Sequence, residues 1–561
     1  MKFTLLSFLA VLVFATFASA HNKPQNYIIQ LNKTATVDEF VPKFIHDTAK
    51  FFHDLFKEAG EKLDDLFDRD DDPFGNNKIR VRQSYDIGGN FKALDIQLSD
   101  DRILDKIKKG FSEIISIIPD EEVQFELPKP AHLKKHAKNS KRYYIRPVRP
   151  NESSYEDPTQ EVKHPHHNSK RYYIRPIRTN ESTYEEDPNE SPHQNGDVAA
   201  ASESPYIANT EGWSSYISAS TSSAQDEASA TTTTAASSAA QTAESGPTYI
   251  EQENAQWNLV RISQRDRDSS KPYIYDSRGG AGVTVYVVDD GVAVNHKDFG
   301  GRAKRGYSAY TDENVKSDGN STKSFGSSAQ LQNTDPLDGG GHGTHVAGII
   351  GGKEYGVAKN VDIVSVQVLR ADGKGTVSSL LGGIQWIMEQ EKNRTRPVVI
   401  NMSLGLPESS AGAQALNDAV SAAVEAGLPV FAAAGNSASD ACKISPAGNS
   451  DVYTVGSVDS DDKMDPYSCY GRCVDVLAPG FDITSTYIGS KDATATMSGS
   501  SMAAPHVAGV AALLLPSLDE DIKPTALYKE ITKLTTRRKI DDIPDWLTPN
   551  RLVFNGQEKE E

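Results

Sequence analysis

Gly499-Ser500-Ser501-Met502-Ala503-Ala504-Pro505-His506 sets a serine where a loop gives way to a run of small, helix-compatible residues. A hydroxyl at that point faces the unpaired N–H groups and positive end of a helix, a setting in which an oxyanion can be stabilised. Taken alone, Ser501 reads equally as a nucleophile or as an N-cap. The stretches ahead of it decide between the two. Gly341-His342-Gly343-Thr344-His345-Val346-Ala347-Gly348 supplies a base, and the β-branched run Val283-Thr284-Val285-Tyr286-Val287-Val288 ends at Asp289-Asp290-Gly291. A serine hydroxyl is a poor nucleophile near neutral pH, so a neutral imidazole must take its proton during attack and return it to the leaving amine. A carboxylate on the far side fixes the tautomer and stabilises the imidazolium. The order Asp289, His342, Ser501 provides all three, and Phe431-Ala432-Ala433-Ala434-Gly435-Asn436 ends a further apolar run with an amide. The Asn436 side chain and the Ser501 backbone N–H are the expected oxyanion hole.

These motifs resemble the subtilisin-like serine proteases (peptidase S8), in their fungal proteinase K branch and on the side of its cerevisin-like members. The order Asp, His, Ser is the one that family uses. The resemblance runs from about Glu251 to Asn555 and includes Trp257–Ser263, Asn295–Phe299, Tyr355–Lys359, Asn401–Gly405 and Thr494–Gly499. It implies an α/β fold with a doubly wound, mostly parallel sheet. Pattern independently supports this, because β-branched runs alternate with Ala-rich helical stretches such as Gln414–Glu425. Asp289 and Asn436 then lie at carboxyl ends of strands, where open α/β sheets place their sites.

The resemblance further implies a serine endopeptidase (EC 3.4.21) that needs no cofactor for catalysis and takes protein and peptide substrates. Leu369–Val377, with Gly373 and Gly375 permitting close approach, would pair with an extended peptide opposite Ser403-Leu404-Gly405. Ala433, Ala434 and Gly435 would wall a roomy, uncharged S1 pocket with broad specificity for apolar or aromatic residues. Asp475 matches a calcium position of the branch, and stays open between a structural Ca2+ ligand and an ordinary carboxylate. Three cysteines give one disulfide and one free thiol; the resemblance pairs Cys442 with Cys473. Two positions depart from the branch. Asp290 and Ser500 each replace a usual threonine, and Asp289-Asp290 is also similar to kexin-like processing proteases, although His345–Gly348 and Ser501–His506 fit the proteinase K branch. Tyr307–Asp335 reads as a longer surface insertion.

The remainder of the 561 residues organises around that domain. Residues 1–20 read as a secretory signal peptide: Lys2, an apolar core from Phe3 to Phe17, then Ala18-Ser19-Ala20. Residues 21–126 read as a small α+β unit, with an extended start at Tyr27–Leu31, an amphipathic helix carrying Phe40, Phe44, Phe51, Leu55 and Phe56, and a helix from about Arg102 to Ile115. Its place resembles the family's inhibitory propeptide (inhibitor I9), an intramolecular inhibitor; an unrelated binding domain is the alternative. Residues 127–250 form an expected disordered linker, in which Asn139–Pro147 recurs as Asn168–Pro176 before a stretch of Ala, Ser, Thr, Gln and Glu that buries too little apolar surface to order. Residues 251–561 are the expected peptidase domain.

Glycosylation sequons stand at Asn32, Asn151, Asn180, Asn189, Asn320 and Asn393; Asn401 also fits but begins a strand end. They agree with a secretory route, to the exterior or to a vacuole, for a zymogen with no membrane anchor once the signal is removed. A net charge of −18 argues against nucleic acid as a partner. A monomer is expected. The rival function is a catalytically silent cell-surface or spore-wall protein of the same fold, against which stands the complete set Asp289, His342, Asn436 and Ser501.

Overall fold

The N-terminal sheet alternates its side chains between two separate cores. In β1 (Gln25–Leu31), Tyr27, Ile29 and Leu31 point to one face and Ile28 to the other, as the two-residue period of a strand requires. β2 (Ile79–Ile87), β3 (Phe91–Leu98) and β4 (Ile114–Pro119) complete an antiparallel sheet in the order β2-β3-β1-β4. Its first face meets α1 (Val37–Glu58) and α2 (Leu104–Gly110), where Phe40 and Phe44 stack and Phe111 meets them edge-on and tilted. Its second face, through Tyr85, Ile87, Phe91 and Ile118, joins the core of the large C-terminal layer. This computed structural model describes residues 25–58, 79–125, 127–128, 249–310, 338–519 and 521–557, all within one compact unit. The expected signal peptide, nearly all of the expected linker, and Asn151, Asn180, Asn189 and Asn320 lie outside the described residues.

One sequence expectation fails here. The helix read from Arg102 to Ile115 stops at Gly110, and Ile114-Ile115-Ser116-Ile117-Ile118 forms β4 instead. Four β-branched isoleucines in five residues favour a pleated surface over a helix. β5 (Val123–Gln124) then leaves the sheet and pairs antiparallel with β9 (Lys374–Gly375).

The C-terminal layer is built on β6 (Thr284–Asp289), β7 (Ala303–Ser308), β8 (Asp362–Gln367), β10 (Val398–Met402), β11 (Val430–Ala433), β12 (Tyr453–Val458), β13 (Val476–Pro479), β14 (Thr536–Arg537) and β15 (Arg551–Leu552). Their order is β14-β15-β13-β12-β11-β10-β6-β8-β7. Every pairing is parallel except β14 with β15, so the expected doubly wound, mostly parallel sheet is present. β6 is buried along its whole length, as strands covered on both faces are. The chain departs to one side of β6 for β7 and β8 and to the other for β10 onward. In open α/β sheets the site lies at such a reversal, at the carboxyl end of the strand, where Asp289 stands.

Helices cover both faces: α3 (Trp257–Ile262), α4 (His342–Gly351), α5 (Val377–Gln390), α6 (Ala413–Glu425), α7 (Ser500–Leu514) and α8 (Pro524–Leu534). α7 is apolar all round and buried from Ser500 to Leu513, the pattern of a helix enclosed by protein. It packs against α4 and against β10, β11, β12 and β13.

Candidate active site

Each site residue is held at the end of a regular element. Asp289 closes β6, and its Oδ1 lies 2.8 Å from Nδ1 of His342, the first residue of α4. Both side chains are buried. A carboxylate only accepts, so Nδ1 carries the proton and Nε2 presents its lone pair. That Nε2 is buried without a hydrogen-bond partner. Burial alone would lower the imidazole pKa; the charge and hydrogen bond of Asp289, with the charge of Asp290, outweigh it and hold it above the ordinary value.

Ser501 is the second residue of α7, behind Gly499, whose φ of 148° an L side chain rarely adopts. Its hydroxyl donates to the Ser403 carbonyl at 3.2 Å. In return the Ser403 hydroxyl donates to the Ser501 carbonyl at 2.9 Å and accepts from Asn401 Nδ2 at 2.9 Å. Asn401 is fully buried, which removes it as a glycan acceptor; Asn393 is exposed and Asn32 half-buried.

Asn436 follows β11, and its Oδ1 accepts from Ser500 N–H at 2.8 Å and lies 2.9 Å from the Ser500 hydroxyl. With the oxygen committed to Ser500, the amide nitrogen is the end left to meet a ligand. The orienting role of Ser500 is invisible in the sequence, where it reads as a mild exchange for threonine. Ala433 and Ala434 are buried, and Gly435 has φ 102° with its position above the buried free thiol of Cys469. Cys442 and Cys473 are joined as a disulfide.

Sequence reasoning also missed what Asp290 does. Its buried carboxylate accepts Gly343 N–H on Oδ1 (2.8 Å) and Gly340 and His342 N–H on Oδ2 (2.9 and 3.3 Å), capping the turn that launches α4. Burial first, and the Asp289 carboxylate second, push its pKa well above the usual carboxylate range. The sequence marks this position by its departure from threonine and by the Asp289-Asp290 pair. The two other motif histidines are structural. His345 Nε2 lies 3.0 Å from the Ala495 carbonyl, and His506 bridges Asn258 and the Met502 carbonyl. Burial lowers them to about 3 and about 4, so both stay neutral.

The segments expected to bind peptide meet the N-terminal unit and the residues around Ser501. Gly373 (φ 79°) gives its carbonyl to Phe125 N–H at 2.9 Å, and Gly375 lies opposite Val123. Leu404 is buried, and a Cβ on Gly405 would lie 2.7 Å from Ile444. Pro128 approaches Gly499 beside Asn436: a Cβ on Gly499 would lie 3.0 Å from Pro128 and 3.2 Å from the Asn436 amide nitrogen. The N-terminal unit is anchored nearby by Asp120, which accepts from Ser378 N–H (3.0 Å) and the Ser378 hydroxyl (2.6 Å) at the start of α5.

The subtilase family pattern (Peptidase S8) matches residues 280–545. A subtilisin-like serine protease, Rho m 2.0101 of Rhodotorula mucilaginosa, is 43% identical over 320 residues, spanning 54% of this chain and 86% of that protein. The chain belongs to the subtilase family. Cerevisin of Saccharomyces cerevisiae is 42% identical over 326 residues, again 54% of this chain but 47% of cerevisin, so the chain spans about half the length of that relative. A solved cold-adapted subtilisin-like serine proteinase is 39% identical, with 55% of this chain and 100% of that one aligned at a TM-score of 0.46.

Within this subtilase, Asp475 stands beside Arg551, whose charge opposes the effect of burial on its carboxyl. Its Oδ2 accepts from Thr454 N–H at 2.8 Å, and burial pushes its pKa up to about 6. The Asp475 carbonyl accepts from Arg551 Nη1 at 3.4 Å, so the carboxylate by itself offers a cation a single ligand position. Among the described residues no group of three or more His, Cys, Asp or Glu side chains gathers to hold a metal, and no helix is long and apolar enough to cross a membrane.

Proposed function

We propose that this subtilase is a serine endopeptidase of broad specificity, made as a precursor on the secretory pathway and delivered to the exterior or to a vacuole. The observation that carries the reading is the Asp289–His342 bond with Nε2 of His342 buried and unpartnered beside the helix that carries Ser501. In the proposed cycle the Ser501 hydroxyl leaves the Ser403 carbonyl for His342 Nε2, which takes its proton as Oγ attacks the peptide carbonyl. The Asn436 amide and the Ser501 N–H receive the charge on the carbonyl oxygen. His342 then protonates the leaving amine, and water repeats the sequence on the acyl-enzyme.

Ala433, Ala434 and Gly435 would wall the pocket for an apolar or aromatic side chain, while β9 and Ser403–Gly405 would hold the backbone. The N-terminal unit, within residues 21–126, would act as the intramolecular inhibitor: β5 already pairs with β9 and Asp120 caps α5. In the same proposal residues 1–20 are the signal, 127–250 the linker and 251–561 the peptidase, working as a monomer without a membrane anchor or nucleic-acid partner. No cofactor takes part in catalysis, and Ca2+ at Asp475 would be structural.

The test is direct. Purified, processed protein should cleave casein and be labelled by a fluorophosphonate, and Ser501→Ala should do neither. Failure of the unmutated protein in both assays refutes the proposal.

A further inference from the structure

Three charged residues outside the catalytic set meet at the edge of the peptide-binding strand. Arg370 and Lys374 flank the turn Ala371–Gly373, which is closed by Arg370 N–H to the Lys374 carbonyl and Gly373 N–H to the Arg370 carbonyl, in both directions at 2.8 Å. The turn therefore brings two cations to one side of β9. There they share Glu122, which immediately precedes β5: Arg370 Nη2 lies 2.5 Å from Glu122 Oε2 and Lys374 Nζ lies 3.0 Å from Oε1. Asp372, on the same turn, draws on Arg370 at 3.4 Å and spends its other oxygen on Lys374 N–H. Once Glu122 is withdrawn, two cations and one carboxylate remain, a net positive spot beside the cleft of a chain whose overall charge is −18.

The register says where on a substrate that spot would act. β5 runs antiparallel to β9 with Gln124 opposite Lys374 and Val123 opposite Gly375. Backbone pairing of this kind accepts any sequence, and discrimination comes from side-chain contacts at the flanks. Glu122 occupies the position one residue N-terminal to the residue opposite Gly375.

We propose that Arg370 and Lys374 form a subsite for an acidic side chain of the substrate, at the position one residue N-terminal to the one that pairs with Gly375. The inference rests on the endopeptidase reading and deepens it. Glu122 fills the subsite in the precursor as an acidic substrate residue fills it in the processed enzyme. All three side chains are about a third exposed, so the two ion pairs are worth a modest factor, together about three- to tenfold in kcat/KM at low ionic strength.

The test uses the purified, processed protein and quenched fluorogenic peptides that share one apolar S1 residue, with Glu, Gln or Lys walked through successive positions ahead of it. At a single position Glu should exceed Gln by about three- to tenfold and Lys by more, with the gain shrinking as NaCl rises. Arg370→Gln/Lys374→Gln should abolish the gain relative to the Gln peptide. Arg370→Glu/Lys374→Glu should reverse it in favour of Lys, a gain that a damaged fold cannot mimic. Cleavage of Gln peptides with no position favouring Glu, or a Glu preference that survives both double variants, overturns the subsite and leaves the endopeptidase reading standing. No cleavage of any peptide together with no fluorophosphonate labelling overturns both.

Discussion

Replacing Asp290 with Asn asks whether the second aspartate of the pair works through the loop that carries His342. The carboxylate accepts three peptide N–H groups, from Gly340, His342 and Gly343. Asn keeps one acceptor oxygen and turns an amide nitrogen toward at least one of those donors. A buried donor without an acceptor costs about 1–3 kcal/mol. Carried fully into the transition state through a displaced His342, that is a fall in kcat/KM of roughly fivefold to 150-fold.

The charge change has a separate signature. The Asp290 carboxylate is one of the charges that raise the His342 pKa, so its loss moves the acid limb of kcat/KM to lower pH. Asp290 itself has a folded-state pKa raised above its unfolded value. The folded protein therefore binds that proton more tightly, and the wild type gains stability as pH falls from neutrality toward the ordinary Asp pKa of about 3.9. The Asn variant lacks this gain, so the melting-temperature difference should widen in favour of the wild type as pH falls. The assay is kcat/KM on a chromogenic peptide and melting temperature from about pH 5 to 9, with Asp290→Ala added because it leaves all three donors unpaired. An acid limb that stays put, with kcat/KM within twofold of wild type, refutes the reasoning.

Three further outcomes are expected. Asn436→Ala should lower kcat by about a hundredfold to a thousandfold with KM nearly unchanged, because in the proposed cycle the amide meets charge that exists only in the transition state; an equal change in KM would contradict this. His342→Ala should leave the precursor uncut, and N-terminal sequencing of the mature wild type should place its start near Gly246–Glu253, whereas a start upstream of residue 198 would contradict the linker reading. Chelation with EDTA should lower the melting temperature of the wild type but not of Asp475→Asn, and leave kcat per folded molecule unaltered; equal responses in the two proteins would remove Asp475 as a calcium ligand.

What could be read from the chain was what local chemistry dictates. The β-branched run ahead of Asp289, the alanine-rich stretch of α6 and the small residues of α7 announce their own conformations, and the motif spacing announces the α/β layering. The helical pattern that starts near Arg102 predicts its own continuation to Ile115, whereas the isoleucines of Ile114–Ile118 favour a strand once a neighbouring strand is there to pair with. Other features rest on partners far away in sequence. Asp120 reaches Ser378, Asp290 reaches Gly340 and Gly343, Ser500 reaches Asn436, and Glu122 reaches Arg370. Each is a polar residue in a loop or at an element's end, and without the fold nothing distinguishes it from a turn former or a solvated charge. The same holds for His345 and His506, whose carbonyl and amide partners mark them as structural only once the strands and helices are in place.

The burial of α7 has a bearing on how long such a molecule survives. A chain that cuts extended peptides is exposed to its own copies wherever a segment opens, and segments open according to their local stability. Ser501 sits on a helix enclosed from Ser500 to Leu513, so its backbone amides should exchange with solvent only when the whole layer comes apart. Self-digestion would then begin at exposed loops and reach the nucleophile last, and loss of activity should lag behind the first nicks in the chain.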